Sequence, residues 1–308
     1  GDMYIKAVEK TRVESLQLYP DAASRIVKAV VSVYNSSSQT APVNLSLQVK
    51  GKDDGKSYAS VEAQAEAVKG YSTVELTCQL GDNAPLWDEF NPYLYDASVK
   101  LVSGKSTSLT TETFGLRDIR HEGNKLVMNE KPIFLRGTLE CCIFPLTGTP
   151  PTDEASWEKL YASAREYGMN HLRFHSWCPP EAAFNVADEM GFYVQVELPV
   201  WSVTLGKDSA TVEFLRAEAK RISKEYGNHP SFCFWSIGNE LQYDFNILAS
   251  MLGEMKAADD RHLYTTTSFT FEKGHGDWPE NQDDFFVTQW TKKGWVRGQG
   301  VFNQELPS

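Results

Sequence analysis

Positive charge is in short supply. The chain sets 30 Lys and Arg against 41 Asp and Glu, a formal net charge of −11 over 308 residues. Nucleic acid and anionic membrane surfaces need clustered cations, so neither is expected as a partner. Long apolar runs are missing too, with nothing near the roughly 18–20 residues that a membrane-spanning helix requires. Cysteine is sparse and poorly spaced. Cys78, Cys141, Cys142, Cys178 and Cys233 are odd in number and form no CxxC pair, which argues against a disulfide framework or a zinc site. They read as buried thiols. No HExxH, GxSxG or Walker motif occurs, so zinc protease, serine hydrolase and P-loop NTPase chemistry lack support. No cofactor and no metal are implied.

What is present divides in two. Hydrophobic residues make up 41% of the chain, enough for a substantial core. From about residue 4 to 113 the apolar positions recur every second residue. Val27, Ala29, Val31 and Val33 share a strand face, as do Val43, Leu45, Leu47 and Val49. Val74, Leu76, Cys78 and Leu80 repeat the pattern, and so do Tyr95, Ala97, Val99 and Leu101. Turn-rich segments such as Asn35-Ser36-Ser37-Ser38 and Gly81-Asp82-Asn83 separate them. This spacing, without helical patterns, predicts an immunoglobulin-like β-sandwich over residues 1–115. Asn35 and Asn44 also open N-x-Ser tripeptides, which recur often by chance.

From Pro132 the period changes. Strands are expected at Ile133–Thr138, His171–His175, Phe192–Leu198, Ser231–Ile237 and Leu263–Ser268, with a sixth at Phe285–Gln289. Helical patterns fall between them. Asp153–Gly168 carries Trp157, Leu160, Tyr161, Ala164 and Tyr167 at steps of three and four. Glu181–Met190, Thr211–Tyr226 and Asn246–Ala258 follow. Such alternation means a parallel sheet with right-handed crossovers, in either a barrel or an open sheet. No Gly-rich loop follows the first strand, which weakens the dinucleotide-binding version. The expected architecture is multidomain β plus α/β. The sandwich is followed, over residues 116–308, by a partial (β/α)8 barrel that lacks its last strands. Its apolar open edge can pair with a second copy as a dimer.

The most telling stretch is Ser231-Phe232-Cys233-Phe234-Trp235-Ser236-Ile237-Gly238-Asn239-Glu240-Leu241. It starts as a strand buried on both faces and releases polar groups only at its carboxyl end. In a parallel barrel those ends build the active site. Glu240 is therefore the leading catalytic carboxyl; the alternative is that Asn239 and Glu240 merely cap the next turn. Other strand ends add planar polar groups and indoles, the pairing that binds sugars. Glu140 ends the first strand; Arg173, His175 and Trp177 lie along and after the second; Trp201 follows the third; Trp290 follows the sixth. Glu197, inside the third, reads as a barrel-interior carboxylate paired with an arginine such as Arg173.

Four pieces make the chain resemble glycoside hydrolase family 2, which includes β-galactosidases, β-glucuronidases and β-mannosidases. They are Leu86-Trp87 with Asn91-Pro92-Tyr93-Leu94-Tyr95, Phe114-Gly115-Leu116-Arg117, Ile133-Phe134-Leu135-Arg136-Gly137, and Trp235-Ser236-Ile237-Gly238-Asn239-Glu240. The resemblance implies retaining hydrolysis of β-glycosidic bonds, galactosidase-like, with Glu240 as acid/base. The substrate-binding residues would be Asn239, Arg173, His175, Trp177, Trp201, Trp290 and Glu140. It also implies a nucleophile on a seventh strand that this chain does not contain, since Glu305 does not match that segment. The 308 residues are then expected to be an inactive piece of a glycosidase. A non-catalytic carbohydrate-binding or scaffold protein is the competing class. The likeness has gaps: Gly137-Thr138-Leu139-Glu140 and His175-Ser176-Trp177 depart from the family pattern. The opening Gly1-Asp2-Met3 reads as a cloning remnant ahead of an excised leader, which favours a periplasmic or secreted setting.

Overall fold

A computed structural model describes residues 5–268, 282–285, 290–291 and 294–295. The chain divides into two units, Gly1–Asp118 with Asn228–Pro230, and Ile119–Gly227 with Ser231–Ser308.

The first unit is an antiparallel sandwich. Its strands are β1 (Thr11–Asp21), β2 (Ile26–Asn35), β3 (Ala41–Gly51), β4 (Ser57–Ala67), β5 (Gly70–Gln79), β6 (Tyr95–Ser103) and β7 (Ser106–Phe114). They form one sheet of order β1-β2-β5 and another of order β4-β3-β6-β7. Period-two patterning drives this arrangement. Val27, Ala29, Val31 and Val33 face inward and are fully buried, and Val43, Leu45, Leu47 and Val49 do the same from the other sheet. Burying a Val or Leu side chain contributes about 1.5–3 kcal/mol. Strand β4 gives a weaker signal because its inward positions, Ala59, Val61, Ala63 and Ala65, are small and only half-buried. Asn35 is fully buried. Its amide donates to the carbonyls of Gln39 and Ala67, and it accepts from Thr11 and Ser37, so its side chain is a core fastener with no access for a glycan.

The second unit opens with a small antiparallel sheet of β8 (Ile119–Glu122), β9 (Lys125–Met128) and β10 (Lys131–Ile133). Asn129 and Glu130 turn the hairpin with φ of 49° and 67°, the paired left-handed geometry that suits a two-residue connection. Then β and α alternate: β11 (Gly137–Glu140), α1 (Glu154–Glu166), β12 (His171–Phe174), α2 (Glu181–Met190), β13 (Tyr193–Glu197), α3 (Ser209–Tyr226), β14 (Phe232–Ser236), α4 (Phe245–Ala258) and β15 (Leu263–Thr265). The five strands pair in parallel in chain order, part of a TIM barrel. A two-stranded pair, β16 (Trp290–Thr291) and β17 (Gly294–Trp295), follows.

Helix starts are set by acids. Asp153, Asp208 and Asp244 each accept from backbone N–H groups of the first turn, satisfying donors that have no partner inside the helix. Helix α2 ends on Gly191 at φ 69°, a left-handed position that glycine adopts without strain.

Some expectations shift. Ile133 closes the hairpin instead of starting a barrel strand, and the first barrel strand begins at Gly137. That strand is largely exposed, not buried, because among the described residues it has a neighbour on one side only. Tyr167 caps α1 and is exposed, so the buried stripe ends at Ala164. Cys141 and Cys142 are exposed, whereas Cys78 and Cys233 are buried. The sixth strand expected at 285–289 lies outside the described residues except for Phe285, which is buried against Phe234.

Register decides what each face carries. Leu139, Arg173, Gln195, Phe234 and Leu263 are paired neighbours across the five strands, and so share one face. Glu140, Phe174, Val196, Trp235 and Tyr264 form the adjacent row and share the other. The last four of these pack with Trp157 of α1, Phe184 of α2, Leu215 of α3 and Leu248 of α4, which identifies the helix-facing side.

On the opposite face lies His171, buried, with Nδ1 2.9 Å from the Tyr193 carbonyl. Burial lowers its pKa from 6.5 to about 4. Between those values the unfolded chain holds a proton that the folded chain does not, so acidification favours unfolding. Stability is expected to fall as pH drops through the 6.5-to-4 window, by roughly 3 kcal/mol from this group. Urea melts of wild type and His171→Asn at pH 7 and pH 4.5 check this; the variant should lose less on acidification.

Candidate active site

The carboxyl ends of β12, β13, β14 and β15 converge on a buried polar network. Arg173, within β12, donates from Nε to Glu197 Oε1 at 2.6 Å and from Nη2 to Asn239 Oδ1 at 2.6 Å. Glu197 is fully buried, and its other oxygen accepts the backbone N–H of Ser176 at 2.7 Å. Gln195 Nε2 bridges Glu197 Oε1 at 3.3 Å and Ser268 Oγ at 2.7 Å. A buried carboxylate persists only when paired and hydrogen-bonded, and Glu197 has both.

Beyond β14 the backbone is stitched on both sides. Asn239 N–H donates to the Val200 carbonyl at 3.2 Å, Glu240 N–H to the Ser268 carbonyl at 3.1 Å, and Ser268 N–H to the Gly238 carbonyl at 2.8 Å. Gly238 is required here, since a Cβ would stand 2.6 Å from the Val200 carbonyl oxygen. Asn239 is 4% exposed and held by Arg173. Glu240 follows at φ 52°, a left-handed position costing about 1–2 kcal/mol for a non-glycine residue. Such strain collects at functional loops. Ser176 and Tyr243, also in loops after barrel strands, have φ of 59° and 101°. Glu240 is half-buried, and the Trp201 indole N–H donates to its Oε2 at 2.8 Å. The indole itself is 58% exposed. A carboxyl that is oriented by one neighbour and still reachable from solvent can exchange a proton with a bound molecule.

The TIM barrel domain model of glycosyl hydrolases family 2 matches residues 119–277, more than half of the chain, and the Glycosyl hydrolases family 2 model matches residues 11–117. The chain belongs to glycosyl hydrolases family 2. Among relatives of this family, the β-galactosidase large subunit of Latilactobacillus sakei is 24% identical over 291 residues, covering 85% of this chain and 43% of the relative. A β-glucuronidase of Streptococcus agalactiae is 28% identical over 171 residues, covering 50% of this chain and 28% of its own length. The chain thus spans less than half the length of these curated relatives. Two solved structures share the fold. A family 2 member from Bacteroides cellulosilyticus superposes with a TM-score of 0.78 at 20% identity, over 91% of this chain and 39% of that one. A Bacteroides uniformis β-glucuronidase gives 0.76 at 16% identity, over 85% and 35%.

Within this family 2 barrel the residues singled out from sequence separate into two groups. Arg173 holds Asn239, and Trp201 holds the residue that follows it, Glu240, so these four come together. His175 is half-exposed at the same rim, its backbone N–H bonded to the Glu140 carbonyl at 2.9 Å. Glu140 and Trp177 go elsewhere. Register places Glu140 in the helix-facing row. Its carboxyl accepts the Cys142 N–H at 3.0 Å, and burial raises its pKa. Trp177 packs edge-on to Phe144 and Phe174, tilts against Trp157, and donates from its indole to the Glu140 carbonyl at 3.1 Å. Position at or after a strand end suggested sugar contact for both; one residue along a strand reverses the face, which turns Glu140 to the helix side, while Trp177, in the loop after β12, packs on the aromatic rings of the helix layer. The Trp290 side chain lies outside the described residues.

Sequence reasoning passed over Gln195 and Ser268. The signal for Gln195 was available: Gln195-Val196-Glu197 alternates polar-apolar-polar, so both polar residues share the Arg173 face. Ser268 had none, because only its distance from Gln195 reveals it. Among the described residues no group of three or more His, Cys, Asp or Glu is placed to hold a metal, and no helix is long and apolar enough to cross a membrane.

Proposed function

We propose that this chain carries the acid/base half of a retaining β-glycosidase acting on β-galactoside-like substrates. The observation that carries this reading is the placement of Glu240: at the end of a central barrel strand, strained, oriented by Trp201 and next to an immobilised Asn239. Retaining hydrolysis uses two carboxyl groups about 5 Å apart across the anomeric carbon. Glu240, protonated, gives its proton to the leaving oxygen. It then takes a proton from the water that releases the sugar. Asn239, fixed by Arg173, presents its remaining amide hydrogen-bonding capacity to a sugar hydroxyl or to the nucleophile. Trp201 offers an apolar face to the C–H surface of a ring.

Glu197 does not fit the role of second carboxyl. It is fully buried, and both its oxygens already accept hydrogen bonds, so no anomeric carbon can reach it. The nucleophile is assigned to a later barrel strand, outside the described residues. The 308 residues alone are accordingly expected to release no nitrophenol from 4-nitrophenyl β-galactoside or β-glucuronide, while protein including a complete barrel does so. Turnover by the 308 residues alone, lost on Glu240→Gln, would instead place a second carboxyl within this chain. The competing glucuronide preference is judged by the ratio of kcat/KM for the two substrates.

A further inference from the structure

The loops after β13 and β14 do more than position Glu240. They run side by side as an extension of the sheet: Trp201 bridges Asn239, Gln242 N–H donates to the Ser202 carbonyl at 3.0 Å, and Leu205 bridges Tyr243. Leu205 is buried and anchors the first loop, while Trp201, Val203 and Tyr243 are 58%, 45% and 52% exposed. Three large apolar side chains held out to solvent on two stitched loops are unusual for a soluble surface unless they meet something. Tyr243 is kept there by φ 101° and by the Lys207 ammonium 4.8 Å from its ring centre.

We infer that these loops form the binding subsite for the leaving group, and that it selects a ring, either an aromatic aglycone or the apolar face of a second sugar. The inference rests on Glu240 acting as the acid. A general acid touches the leaving oxygen, so whatever lies against the acid on its outer side lies against the group that departs. The Trp201 indole is hydrogen-bonded to Glu240 Oε2 and is therefore the first surface a leaving group meets. Val203 and Tyr243 are the other large exposed side chains on the same two paired loops. A ring stacked there gains contact area that a methyl group cannot, at no cost in new ordering, since both loops are already bonded to each other.

The test compares benzyl and methyl β-galactoside, whose leaving alcohols differ little in acidity. Each is titrated into the 15N-labelled 308-residue protein while the Trp201 indole N–H resonance, assigned by its loss in Trp201→Ala, is followed. The benzyl compound is expected to bind about tenfold tighter and to move that resonance, and Trp201→Ala should abolish the difference. Trp201 is exposed, so the variant folds, which amide spectra verify. Equal affinities, or a benzyl preference that survives Trp201→Ala, overturn the subsite and leave the glycosidase reading standing. Failure of both galactosides to bind, to protein that includes a complete barrel as well as to the 308 residues, overturns the two together.

Discussion

Glu240→Gln, in protein that includes a complete barrel, is expected to lower kcat about a thousandfold on glycosides with poor leaving groups such as benzyl or a second sugar. On 2,4-dinitrophenyl glycosides the first step needs little protonation, so it should suffer far less. The covalent intermediate should then accumulate, because the same residue serves as base for its hydrolysis. Azide, a nucleophile that needs no base, is expected to restore turnover on the activated substrate. The reason for so large an effect is geometric. Glu240 is held at φ 52° with its backbone N–H tied to Ser268 and its Oε2 tied to Trp201, so its proton is delivered from one place. Equal loss on poor and good leaving groups, without rescue by azide, would mean that the substitution disturbs binding instead.

Arg173→Ala is expected to remove about 3–5 kcal/mol of stability, because it leaves the fully buried Glu197 carboxylate without its cation. For a unit of this size that corresponds to a fall of roughly 10 °C in Tm. The double variant with Glu197→Leu should recover part of the loss, since no buried charge is then left unmet. Activity is expected to stay low in the double variant, because Asn239 still lacks the guanidinium that fixes its Oδ1 at 2.6 Å. Thermal melts and kcat measured on the same samples separate the two effects. If stability and activity recover together, the network is a fastener with no part in positioning Asn239.

Much of this was legible in the chain itself. The apolar spacing of three and four placed the helices within a residue or two, because that pattern depends only on neighbours one turn away. The strand over 232–236 announced itself as a short apolar run bounded by polar residues. Strand β4 was less legible because alanines on its inner face give little contrast. The start of the first barrel strand was misplaced because Ile133 and Phe134 are apolar for different reasons: one ends a hairpin and the other is 77% exposed.

The site shows the same division. That Glu240 ends a central strand follows from period and chain order, which are local. The pairing of Glu197 with Arg173 was also legible, but that Glu140 faces the helices, that Arg173 holds Asn239 as well, and that Trp201 rests on Glu240 were decided only in three dimensions. Register between strands tens of residues apart selects which face each side chain takes. That register is set by packing summed over the whole helix layer, a quantity that no window of sequence contains.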